Sequence, residues 1–505
     1  MRTFTALDFF VLIVYLAGTT TLGIWLGRDQ KDAKDYFVAG KRIPWWAILF
    51  SVVATETSAL TFISIPGLAY TTNLGFLQIA AGYLLGRIVV AYTLLPRYYK
   101  GELVTAYALL ERRFGLGTRR FASVIFMFTR AFGDSVRVFA TAIPIALIIG
   151  PVVPHQYVTP LSIVILGVLT LIYTYHGGMR AVVWTDVVQT VVYVGGGLAA
   201  IVLLNNLVTG GWGTILDVAS RSGKLELIDP YIGFSRANTL FAGLLGGAFL
   251  SMASHGADQL IVQRLLASSS LADARKALIG SGVAVILQFT LFLFIGIGLF
   301  VYYQGRQFAV PDSIFPTFVV DVMPPGLTGL VVAAILAASM STLSGSINSL
   351  AAATVHDIWV PLSRANAEDE KKTFRMARLF SLLWGIGLLV AALLYRQQGT
   401  PVVIVALSIA SFTYGALLGG FFLGMLWRRA IQRDAILGMA VAIAVMTFIV
   451  FAKQLLPIFP SMTGTLTSVS KIAWPWYVLI GTSITMLVGI ASSFTHGDRA
   501  RNPDD

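Results

Sequence analysis

Apolar residues run along this chain in stretches of about twenty, separated by short segments where Lys, Arg, Gly and Pro collect. A helix of that length crosses about 30 Å of hydrocarbon. The pattern predicts about thirteen such spans, near 6–26, 44–70, 74–96, 121–149, 157–175, 183–207, 238–262, 277–303, 325–354, 377–395, 401–427, 434–452 and 474–494. An odd number of spans puts the two ends on opposite sides of the membrane. Two spans are interrupted by polar residues, Thr55-Glu56-Thr57-Ser58 in the second and Ser251 to Asp258 in the seventh. Hydroxyls and carboxylates at bilayer depth are costly unless they meet an ion, a ligand or one another. The interruptions lie five spans apart, so a repeat of that length is inserted upside down. Inverted repeats with helices broken at matching positions place the binding site of many secondary transporters near the bilayer midplane.

Composition agrees with the pattern. With 56% hydrophobic and 12% charged residues and a mean hydropathy of +0.79 over 505 residues, the chain has too little polar surface to solvate a soluble globule. No connection exceeds about thirty residues, too few for a separate domain. One membrane domain over 1–505 is expected: an extra N-terminal helix at 6–26, inverted repeats at 44–207 and 238–427, two further helices in 434–494, and a short tail at 495–505. The net charge of +12 reads as a topology signal. With the N-terminus outside, the inner connections hold 25 of the 36 basic residues, which places the C-terminus in the cytoplasm of a bacterial inner membrane. Nucleic-acid binding would need a basic face on a soluble domain, and none is expected. The first apolar window lacks a small-residue cleavage site and reads as an uncleaved anchor. The absence of Cys excludes disulfides and thiolate metal sites. There is no phosphate-cradling Gly-x-x-x-x-Gly-Lys-Ser/Thr loop, and the five histidines are scattered, so neither ATP coupling within this chain nor an enzyme is expected.

Ala338, Ser341 and Thr342 stand at i, i+3 and i+4 and share one helix face. Two readings compete. The hydroxyls, with carbonyls freed by a helix break, suit a hard cation such as sodium; equally, small residues let helices approach, and hydroxyls bond back to their own helix. Five ordered blocks over roughly residues 6–430 resemble the sodium:solute symporter family, whose bacterial-type and other members carry sugars, proline, sialic acid, iodide and monocarboxylates with sodium. They are Asp35-Tyr36-Phe37 with Gly40; Ala54 to Gly67; Gly177 to Asp186; Asp258-Gln259 with Val262-Gln263-Arg264; and Ala337 to Ser344, followed by Asn348 and Asp357.

The resemblance implies an all-α polytopic membrane protein with a leucine-transporter-like fold of two inverted five-helix repeats. It implies a sodium site formed by carbonyls of Ala54 and Thr57 with Ala338, Ser341 and Thr342. A second sodium, or an inner gate, would involve Asp186 and Ser344, although Gly345 stands where the sialic-acid transporters have another serine. The implied substrate site is lined by Ser58, Thr61, Gln78, Ser254 and His255.

The charged residues leave alternatives open. His255 either stacks on, bonds to or titrates beside a solute, or is a neutral histidine bonded within the helix. Glu56 either biases ion occupancy or answers a cationic group of the substrate, or else pairs with Arg87 in the third span. Arg130, Asp134 and Arg137 fall on one helix stripe with two positive charges against one negative. That stripe is either an ion-pair ladder or a surplus of positive charge that attracts an anion. The function expected is sodium-coupled symport of a small organic solute by alternating access, with a lean toward a monocarboxylate or sugar acid. A neutral sugar, an amino acid, or a solute sensor without transport are the alternatives.

Overall fold

The computed structural model describes residues 4–26, 36–37, 39, 43–57, 59–100, 103–150, 153–363, 370–396 and 402–496. The labelled helices are α1 (Ala6–Leu26), α2 (Trp45–Glu56), α3 (Ala59–Thr71), α4 (Leu77–Tyr92), α5 (Leu116–Ile149), α6 (His155–Leu207), α7 (Gly211–Arg221) and α8 (Gly247–Gly256). They continue with α9 (Gln259–Leu266), α10 (Leu271–Tyr302), α11 (Leu327–Ala353), α12 (Glu370–Leu394), α13 (Val402–Leu426), α14 (Gln432–Val450) and α15 (Trp476–Ser493). Among the described residues, ten helices are long and apolar enough to cross a membrane, or eleven when the bent pair α2 and α3 counts as one span. About thirteen were expected. The two outside this count are 121–149, which lies within α5 and carries three charged residues, and 238–262, which is cut in two.

Three backbone breaks shape the centre. At Thr57, with φ −85° and ψ 66°, the chain leaves the helix, and the two halves of this span meet at 57°. Carbonyls in the last turn of a helix lack downstream N–H partners and are open to other groups. In the seventh span, α8 ends at Gly256, Ala257 is non-helical, and the Asp258 carboxylate accepts the Leu260 N–H at 2.8 Å to start α9. All eight residues of α9 are buried. The chain therefore stays inside the fold to Leu266, four residues beyond the expected end of the span, because the cap lets a second short helix begin under the first. Within α6, Gly178 takes φ 54°, a conformation cheap only for glycine, and divides the helix into two spanning halves.

Packing places these breaks at the core. In an eighteen-residue apolar window within Leu327–Ser363, the stretch that contains α11, 94% of residues are buried, against 11% in the corresponding window of α1, so α11 is central and α1 peripheral. Helix α4 approaches the seventh span until a Cβ on Gly82 would lie 2.2 Å from the carbonyl oxygen of Gly243, in the turn that leads into α8, and one on Gly86 would lie 2.3 Å from that of Ala248 in α8. Small residues at a crossing allow such contact in a lipid environment. Phe10, Phe128, Val202, Leu287 and Leu487 are each more than half exposed around the outside of the bundle, where acyl chains would cover them.

The two ends of the bundle are tied differently. At the end carrying residues 208–236, Lys224 Nζ donates to the Tyr70 and Thr72 carbonyls at 2.7 and 2.9 Å and so satisfies the C-terminal turn of α3. At the opposite end, Gln263 donates to the Phe37 carbonyl at 2.7 Å, and Asp357 accepts from Thr105 and Arg119, each at 2.6 Å. Asp35 and Gly40 lie outside the described residues.

Candidate functional site

Ser51 stands one helical turn before Thr55 on α2, and its hydroxyl donates to Asp186 Oδ2 on α6 at 2.5 Å. Ser341 of α11 donates to the other oxygen, Oδ1. One carboxylate thereby holds α2 and α11 against α6, bringing the broken end of α2 toward the hydroxyl face of α11. Ala54, Thr57, Ala338, Ser341 and Thr342 are each buried. The Thr342 hydroxyl donates to the Ala338 carbonyl at 3.1 Å, and Thr57 Oγ1 donates to Gln288 Oε1 at 2.8 Å. A hydroxyl that donates keeps lone pairs for a cation. Hydroxyl and carbonyl oxygens are the donors these residues offer, the chemistry a hard monovalent ion takes.

Side chains absent from the expected site hold it in place. Gln288 of α10 accepts from both Thr57 and Tyr193, the latter at 2.9 Å, and so links the break in α2–α3 to the second half of α6. Arg264 of α9 reaches the Ser51 hydroxyl with Nε at 3.0 Å and lies 3.5 Å from Asp186. Ser344 donates to the Ser341 carbonyl of its own helix at 3.0 Å. Tyr193 and Gln288 carry no motif, and their role follows from helix packing alone. Ser51 could have been found from its one-turn spacing to Thr55.

A cavity opens beside the two breaks. Its walls include Thr55, Glu56 and Thr61 from the first break, Tyr83 of α4, Arg130 and Arg137 of α5, Ser254 and His255 of α8, and Tyr414 of α13, with Phe76 and Phe289 as apolar lining. Of the expected substrate residues, Thr61, Ser254 and His255 face it, and Ser58 lies outside the described residues. Gln78 belongs elsewhere. It donates to the Gly75 and Asn238 carbonyls at 3.2 and 3.1 Å and accepts the Asp229 N–H at 3.3 Å, because it sits at the start of α4, level with the 208–236 connection rather than with the breaks.

Glu56 and Arg87 are in contact, and Arg87 also donates to Ser281 at 2.9 Å. His255 Nε2 is 3.6 Å from the same Glu56 carboxylate, while its Nδ1 lies 2.8 Å from the Ser254 hydroxyl. On α5, Arg130 bonds to Asp258 at 2.6 Å and Tyr414 at 2.8 Å, and lies 3.4 Å from Asp134; Arg137 is 3.3 Å from Asp134. The surplus positive charge expected on this stripe is not there. Asp258 arrives from the seventh span, so two arginines face two aspartates, and spacing along α5 could not reveal the fourth member. Arg137 remains the more open arginine, with a side chain 20% exposed against 7% for Arg130, while the Nε of each lacks a hydrogen-bond partner among the described residues.

The model of the sodium:solute symporter family matches residues 36–442. The chain is 33% identical to the sodium/sialic acid symporter NanT of Aliivibrio fischeri, over 92% of each chain. It is 31% identical to the sodium/sialic acid symporter SiaT of Proteus mirabilis, over 93% of this chain and 94% of that one. A substrate-bound, outward-open structure of a sodium-coupled sialic acid symporter superposes with a TM-score of 0.84 at 28% identity over 98% of both chains. A nucleobase-cation-symport-1 family transporter shares the fold at a TM-score of 0.55 and 16% identity, covering 91% of this chain and 94% of that one.

Proposed function

This chain belongs to the sodium:solute symporter family, and we propose that it carries a small carboxylated solute, a monocarboxylate or sugar acid, into the cell with sodium. It is an all-helical membrane protein of leucine-transporter-like fold that couples movement of a small solute to sodium. The basic end, with residues 97–120 and 357–378, faces the cytoplasm in this reading, and the 208–236 end faces outside. Sodium sits between the carbonyls of Ala54 and Thr57 and the α11 face of Ala338, Ser341 and Thr342. It holds the broken span against α11 while the cavity is open to the outside. Asp186 belongs to the inner gate, which parts to release ion and solute. The two inverted repeats, 44–207 and 238–427, each supply one break.

Arg137 carries the choice of solute. Its guanidinium lines the cavity 3.3 Å from Asp134 and is the more exposed of the two, whereas Arg130 is held by Asp258, Tyr414 and Asp134. A guanidinium fork matches a carboxylate. Thr61, Ser254, His255 and Glu56 offer partners for hydroxyls elsewhere on the solute, and Tyr83, Phe76 and Phe289 cover its apolar faces. The sialic acid symporters among its relatives support an acidic solute but not its identity. A neutral sugar or amino acid is the second reading, favoured by the Glu56 carboxylate at the cavity wall.

Uptake into proteoliposomes under an inward sodium gradient tests the reading with labelled lactate, gluconate and glucose. Saturable, sodium-dependent uptake of an acid is expected, with Arg137→Gln raising its KM about tenfold, the equivalent of about 1.4 kcal/mol. Sodium-driven uptake of glucose in preference to both acids would favour the neutral reading.

A further inference from the structure

We propose that the Arg264 guanidinium is a built-in cation, filling a cage that would otherwise take an additional sodium, so that this chain binds one sodium per cycle. The inference rests on the sodium site proposed at Ala338, Ser341 and Thr342. The cage stands beside that site. Asp186 is fully buried and accepts from Ser51 and Ser341, and the Ser344 hydroxyl lies one turn further along α11. A carboxylate with hydroxyls around it is the donor set that holds an alkali cation. A buried carboxylate also needs a positive partner.

Here the chain provides that partner covalently. Arg264 is itself fully buried. Its Nε donates to Ser51 at 3.0 Å, its Nη1 donates to the Leu260 carbonyl at 2.9 Å, and its Nη2 stands 3.5 Å from Asp186 Oδ2. Nη2 makes no hydrogen bond among the described residues. It is held there by charge and by space.

Gly345 makes the space. A Cβ at that position would lie 2.4 Å from Arg264 Nη2 and 3.2 Å from Cζ and Nη1. Gly345 sits inside α11 without a positive φ, so no backbone geometry calls for glycine there. What its missing side chain contributes is room for the guanidinium. Any larger residue pushes Arg264 off Asp186 and leaves the carboxylate and its hydroxyls for a free ion. Because Arg264 rides on α9, its charge bridges α2, α6, α9 and α11 without crossing the membrane, and it contributes nothing to the work drawn from the sodium gradient.

Equilibrium binding of radioactive sodium to the purified full chain in detergent tests this. One ion per chain is expected for wild type and two for Gly345→Ser, the second weaker. Arg264→Gln, close in length but neutral, is also expected to bind two and carries the test should Gly345→Ser not fold. A wild type that binds two ions, or an Arg264→Gln variant that saturates at one, would overturn the proposal. Thr342→Ala separates the readings: it should remove the single ion of wild type but leave one ion in the Arg264→Gln background. Sodium bound by Arg264→Gln but not by wild type would overturn the Thr342 site and keep the guanidinium cage.

Discussion

At Glu56, two demands meet in one side chain: it lines the solute cavity, and it neutralises Arg87, whose side chain is fully buried. Removing one member of such a pair leaves a buried charge alone, typically at a cost of 3–5 kcal/mol. Glu56→Gln or Arg87→Gln should each lower the apparent melting temperature in detergent. The double variant should fall short of the summed losses by about 1–3 kcal/mol; purely additive effects would mean that the pair carries no coupling. Ser341→Ala with Thr342→Ala bears on the ion. Wild type should gain thermal stability in sodium chloride over choline chloride at equal ionic strength, by about 2.7 kcal/mol at a hundredfold excess over Kd. The double variant should lose that gain, and an undiminished shift would place the sodium elsewhere. Of the residues at the first break and the cavity wall, those carrying an unusual polarity for their depth, such as Glu56, Thr57 and His255, stood out in the sequence. Gln288 and Tyr193 were not, since a lone Gln or Tyr in an apolar span carries no signal until packing brings it to a partner.

Among the elements, the breaks do the positioning. Asp258 both caps α9 through Leu260 and receives Arg130 and Tyr414, so it fixes where the second break falls and neutralises the charge stripe on α5. Asp258→Asn keeps a capping side chain but removes the charge. It should leave Arg130 underpaired and weaken transport several-fold more than it weakens the fold, read as uptake rate against the melting temperature of the same preparation. Equal losses in both would assign Asp258 a structural role alone. Gly178 has a simpler task. Its φ of 54° is strained for any L side chain, and Gly178→Ala should cost about 1 kcal/mol with no change in sodium affinity. Polar interruptions told where the broken helices were, but not where each resumed: α9 runs to Leu266 because Asp258 caps it, a contact that spacing alone did not single out.

For the whole molecule, the charges that cross the membrane decide what drives uptake. A unit charge moved through 100 mV contributes about 2.3 kcal/mol. One sodium travelling with a neutral solute would collect that work; one sodium travelling with a monoanion would not, because the two charges cancel. Uptake of a carboxylate with a single sodium should therefore respond to the sodium concentration gradient and stay unchanged when a potassium diffusion potential is imposed with valinomycin. A several-fold stimulation by inside-negative potential would require a second sodium or a neutral solute. The membrane class, most of the spans, the two broken helices and the family were determined by the sequence itself, because hydrocarbon punishes exposed polar groups so heavily that each exception stands out. Charge pairing was decided only by the tertiary structure. Asp258 cancels the surplus on α5, Arg264 stands beside Asp186, and Gln78 bonds to the 208–236 connection, since each depends on which distant helices lie side by side, and the one-dimensional order of apolar and polar residues does not carry that information.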